Sequence, residues 1–200
     1  MSSLFNYFDP NDLRSVVEAC LSGNQVAQRC LYKKHFGYAK SICLRYTSFP
    51  EDAEEVMNEG FFKVFNNLKS YDPVYPFKAW LRTIMVNTAI SYYRKHKKHS
   101  DDHITLEDAP NLRFEEDILS RITADEILNL VQMLKPDYKN VFLMHAVDGF
   151  NHREIADMLN INEATIRSQY IRARAKLQQL IRQYYPHFSP ADLQSVNSFL

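Results

Sequence analysis

An all-α protein of two helical domains joined by a flexible linker, the C-terminal domain holding a helix-turn-helix, is what this sequence predicts. Three observations carry that expectation. Only 4 of the 200 residues are glycine, and long stretches lack both Gly and Pro, which favours helices over a turn-rich β architecture. Apolar residues recur at helical three-and-four spacing across residues 10–97 and again across 117–184. Between these blocks, residues 98–116 hold few large apolar groups and are rich in His, Lys and Asp. Such a segment buries too little surface to fold alone and reads as a linker.

The first block is expected to break near Gly23, at Phe49-Pro50 and across the run from Tyr71 to Pro76. Its start, Met1 to Asp12, has no basic stretch followed by an apolar run, and no segment approaches the roughly 20 apolar residues that cross a bilayer. A soluble cytoplasmic chain without membrane insertion is expected. Cys20, Cys30 and Cys43 form no CxxC pair, so they read as reduced packing residues. Net charge is zero, from 24 basic and 24 acidic side chains, and by itself says nothing of nucleic acid. The distribution does: Lys78, Arg82, Arg94, Lys95, Lys97 and Lys98 lie in a run without an acid, and the segment from Asp101 to Asp117 reverses the sign. A local basic stripe binds phosphates even on a neutral chain.

From Glu51 to Leu68, the residues Ala53, Val56, Met57, Gly60, Phe61, Val64 and Leu68 share one buried helical face. Glu55, Asn58, Glu59, Phe62 and Asn66 fall opposite, which sets an aromatic ring within a polar, acidic surface. Phe62 reads either as a residue packed beneath another helix or as the anchor of a docking surface.

After the Pro-rich loop, Phe77, Leu81, Ile84 and Thr88 define the inner face of a helix reaching about Lys95. Trp80, Thr83, Asn87 and Arg94 lie along one flank, and Lys78, Arg82 and Tyr93 along another. Tyr71, Tyr75 and Phe77 crowd its start. Rings beside cations suit single-stranded nucleic acid, whose bases stack while its phosphates follow the charge. An amide such as Asn87 suits the edge of an unpaired base. The same residues also fit a core with a solvated basic helix end.

In the second block Pro136 marks a helix start and Gly149 a helix end. From His152 to Ser168 the pattern is more specific. Ile155, Leu159, Ile161 and Ile166 supply apolar contacts, Ala156 permits close helix approach, Asn160 suits a left-handed turn, and Asn162 caps the following helix. Ile166, Tyr170, Ala173, Leu177 and Leu180 then face inward. Thr165, Arg167, Ser168, Ile171 and Arg172 project outward, where a recognition helix meets groove edges and phosphates.

Taken in order, three segments resemble the extracytoplasmic-function (ECF) sigma factors of the sigma-70 family: Asp52 to Phe65, Phe77 to Ile84 with Asn87, and the helix-turn-helix through Gln169 with Arg172 to Arg174. The resemblance implies that residues 10–97 are region 2 and 117–184 region 4, with the tail 185–200 left without a role. It implies that Glu55, Asn58, Glu59 and Phe62 dock on the clamp helices of the largest subunit of core RNA polymerase, and that the flap of the second-largest subunit is a further partner. Ser70, Tyr71, Asp72, Lys78, Trp80, Arg82, Thr83, Asn87 and Arg94 would melt and capture the minus-ten promoter element as single-stranded DNA. Thr165, Arg167, Ser168, Ile171 and Arg172 would read the minus-thirty-five element as duplex. An anti-sigma partner is implied as well. Lys135, Lys139 and Gln169 depart from the family pattern, so the resemblance does not extend to the DNA sequence read. The competing reading is a helix-turn-helix regulator with an N-terminal sensing or dimerisation domain. No phosphate loop, HExxH or Cys/His metal spacing occurs, so neither an enzyme nor a cofactor or metal is expected.

Overall fold

The computed structural model describes residues 8–97 and 124–186. The expected linker at 98–116, the first residues of the second block and the tail beyond 186 lie outside the described residues. The chain divides into two compact units between Lys95 and His96, and every regular element among the described residues is helical.

The first unit is built from α1 (Leu13–Leu21), α2 (Gln25–Tyr46), α3 (Pro50–Asn67) and α4 (Phe77–Lys97). Local chemistry sets each boundary. The Asp12 carboxylate accepts from the amides of Arg14 and Ser15, and the Asn24 side chain accepts from Val26 and Ala27, so both helices start on side-chain caps. Between them Gly23 takes φ +83, a conformation open to glycine at little cost. Pro50 opens α3, with Glu51 and Asp52 in its first turn where the helix dipole favours acids. The core gathers Leu31, Ile42, Val56, Met57, Phe61, Leu81, Met85 and Ile90 among others. The α4 face is wider than expected: Phe77, Leu81 and Thr88 are buried as the periodicity predicts, but Met85, Val86, Ala89 and Ile90 join them, whereas Ile84 stays half-buried.

The second unit contains α5 (Ala124–Gln132), α6 (Pro136–Phe142), α7 (His152–Leu159) and α8 (Glu163–Tyr184). Pro136 stands in the first turn of α6, which runs on into a wider π turn over Leu143–Val147, and Gly149 turns the chain at φ +77. Asn151 and Glu154 form a reciprocal capping box that starts α7. The turn between α7 and α8 has Asn160 at φ 51, ψ 49, and Asn162 caps α8 by accepting from the Ala164 amide, both as the sequence suggests. Ile155, Ala156 and Ile166 are buried, but Leu159 is only half-buried and Ile161 is exposed. The left-handed residue redirects the chain so that the Ile161 amide closes on Ala156 O at 3.0 Å while its side chain turns out. Among the described residues no helix is long and apolar enough to cross a membrane.

Candidate protein-docking and nucleic-acid surfaces

On α3 the residues Glu55, Asn58, Glu59, Phe62 and Asn66 are all exposed, and Phe62 stands 68% exposed. Among the described residues, Phe62 therefore packs beneath no helix of its own unit. Around it the polar groups are held loosely. Asn58 Oδ1 accepts from Tyr32 Oη at 3.2 Å, and Glu59 pairs with Lys63 at 2.7 Å, both half-exposed. Exposed pairs of this kind contribute little stability, so the face remains available to a partner that offers an apolar socket and cations.

The loop before α4 is shaped by two local hydrogen bonds. Asp72 Oδ1 accepts from the Val74 amide at 3.0 Å, and Tyr71 Oη donates to Tyr75 O at 2.8 Å. Tyr71, Phe77 and Trp80 form a ring cluster with centroids 5.2–5.6 Å apart, and Trp80 is half-buried. It thus packs on Tyr71 and Phe77 while keeping part of its surface exposed. Val74 and Tyr75, 82% and 64% exposed, form the apolar tip of this loop; the sequence places Tyr75 among the rings at the start of α4 and gives Val74 no part of its own. Lys78 lies over the Tyr38 ring at 5.4 Å. Asn87 and Arg94 are exposed, Arg82 half-buried, and the Thr83 hydroxyl donates to Ala79 O at 3.2 Å. Ser70 is exposed and donates to Asn67 O at 2.8 Å. Beneath the cluster His35, buried, sets its ring against Phe77 at 4.8 Å.

On α8 the inner residues Ile166, Tyr170, Ala173, Leu177 and Leu180 are buried. Thr165, Arg167, Ser168, Ile171 and Arg172 are exposed along one outer surface. Glu163 pairs with Arg167 at 2.6 Å. A cleft of about 570 Å³ lies between this surface and the start of α6, where Lys135, Tyr138, Thr165, Ser168, Gln169 and Arg172 line it. Behind it, Lys139 is buried and donates to Gln132 Oε1 at 3.1 Å. Burial pushes its amine down to about 8. His145 stacks on His152 at 4.3 Å, and burial lowers the His152 pKa, with His145 adding to the effect.

Residues 31–99 match the family model for sigma-70 region 2, and residues 124–177 that for sigma-70 region 4. The chain belongs to the sigma-70 family. Its curated relatives include the ECF RNA polymerase sigma-E factor of Haemophilus influenzae, 24% identical over 84% of this chain and 95% of that protein. The ECF RNA polymerase sigma factor SigM of Bacillus subtilis is 28% identical over 75% of this chain and 92% of its own. These relatives set this sigma factor in the extracytoplasmic-function branch. The fold of the sigma factor RpoE from Bartonella quintana, solved with the anti-sigma factor NepR, is similar at a TM-score of 0.51, with 20% identity over 77% of this chain and 96% of that one. The region 2 match takes in the α3 face, the loop and α4. The region 4 match takes in the whole helix-turn-helix of this sigma factor.

Proposed function

We propose that this sigma factor docks on core RNA polymerase through Glu55, Asn58, Glu59 and Phe62, with region 2 spanning residues 10–97 and region 4 residues 117–184. Ser70, Tyr71, Asp72, Lys78, Trp80, Arg82, Thr83, Asn87 and Arg94 open and hold the minus-ten element. Thr165, Arg167, Ser168, Ile171 and Arg172 read the minus-thirty-five element in duplex form. The chain acts in the cytoplasm by binding and without a cofactor, and catalysis belongs to the polymerase. Capture of unstacked bases offsets the few kcal/mol that opening each step costs. An anti-sigma factor, the class of partner that holds the similar Bartonella quintana protein, is proposed for this chain too.

The observation that carries this reading is the exposed Phe62 set among Glu55, Asn58 and Glu59. A stand-alone helix-turn-helix regulator has no use for such a face. Phe62→Ala should weaken binding to core polymerase by about 2 kcal/mol or more, read by titration of labelled sigma factor. The melting temperature should hold, because the ring already stands in water. Unchanged core affinity would overturn the docking assignment.

A further inference from the structure

The geometry points to Asp52, Lys63, Thr88 and Tyr92 as positioning residues that fix the rotation of α4 against α3, an inference that rests on the docking and melting roles proposed above. On α3, Asp52, Glu55, Glu59 and Lys63 follow one another at intervals of three, four and four, so they form a single stripe. The two central members belong to the docking face; the two outer members reach back to α4. Tyr92 Oη donates to Asp52 Oδ1 at 2.8 Å. Lys63 Nζ donates to Thr88 Oγ1 at 3.3 Å and pairs with Glu59 at 2.7 Å. Thr88 and Tyr92 stand one turn apart on α4, and the buried Thr88 hydroxyl spends its proton on Ile84 O at 2.8 Å, leaving its oxygen to accept from Lys63. One turn before Thr88 on α4, the Met85 side chain lies against Gly60 of α3, where a Cβ would run into its Sδ.

Interlocked apolar side chains already resist rotation of α4 about its axis. Hydrogen bonds of fixed length add a directional restraint that selects one setting among closely similar packings. Asn87 directly precedes Thr88, so the rung at Thr88 sets where that amide points. Burial, together with the Asp52 and Glu55 carboxylates, pushes the Tyr92 phenol up to about 12, which keeps it a donor throughout the neutral range. Docking on Glu55 and Glu59 thereby engages the same stripe of α3 that aims the base-capturing flank of α4.

The test uses full-length Tyr92→Phe and Thr88→Val, singly and combined, reconstituted with core polymerase. Tyr92→Phe keeps the ring and its packing, so it reports on the bond rather than on folding. Core affinity should stay at the parental value, while permanganate reactivity of promoter thymines at saturating sigma factor should fall about fivefold or more for the double variant. Thr88→Ser, which retains the acceptor, should restore it. Asn87→Ala runs in parallel: if that variant opens promoters normally, the melting role of α4 itself fails. If Asn87→Ala is defective while the double variant opens DNA like the parent, or is defective only through weaker core binding, the positioning inference alone is overturned.

Discussion

His35 lies in the core of the first unit with neither ring nitrogen hydrogen-bonded and its ring against Phe77, the first residue of α4. Burial, and secondarily the Lys34 and Lys78 ammoniums, push its pKa down to about 4. An unfolded imidazole takes its proton near 6.5. The stability this neutral ring supplies is therefore complete above about pH 6.5 and is lost as pH falls toward 4. Thermal melts of the parent at pH 7 and pH 5 should show the lower-pH transition displaced by several degrees, and His35→Leu should remove most of that displacement. An equal displacement in both proteins would exclude His35 as the cause. Lys139 works on the alkaline side. Its amine titrates near 8 in the fold against about 10.4 when unfolded, so the second unit should gain stability as pH rises between those values. Its bonded partner Gln132 is an amide, not a carboxylate that would hold the charge.

At the scale of elements, α8 carries the clearest division of labour, with one side buried and the other polar. Arg172 lines the cleft beside Ser168 and Gln169. Arg172→Ala should leave core binding intact and lower holoenzyme affinity for intact promoters. If it reads a guanine, about 1–3 kcal/mol should go at one base pair; if it meets only phosphate, the loss should be equal on all sequences and the salt slope should fall by about one. Equal affinity of parent and variant on every template and at every salt concentration would remove Arg172 from the interface. Much of this element was legible in the sequence, because caps and breakers act locally: Pro136, Gly149, Asn160 and Asn162 each do in the fold what their chemistry suggests. Periodicity was less informative where a helix touches several neighbours at once. It marks one stripe, so it missed Met85, Val86 and Ile90 on α4. Ile161 misled for the opposite reason, since a turn residue has no helical phase to read. The exposure of Val74 and Tyr75 could not be read from periodicity, which has no hold on a loop; the hydrogen bonds that shape it decide what it presents.

The whole molecule balances 24 basic against 24 acidic side chains, so the free chain has little long-range attraction for DNA. Each unit closes a core of its own, and promoter contacts on both are expected to become productive only once polymerase holds them. Within that balance, α8 carries an acid beside the residues proposed to read DNA: Glu163 sits 2.6 Å from Arg167. A phosphate approaching Arg167 must displace this carboxylate as well as solvent. Glu163→Gln should therefore raise holoenzyme affinity for duplex promoters and steepen the dependence of log affinity on log salt by up to about one unit; an unaltered slope would show that Arg167 meets no phosphate in the complex. In the parent, a phosphate contact at Arg167 would exchange one anion for another, and fewer ions would return to bulk solution than the count of arginines suggests. Promoter occupancy by this protein should then vary less with the potassium content of its surroundings than the occupancy of a regulator whose cations stand bare.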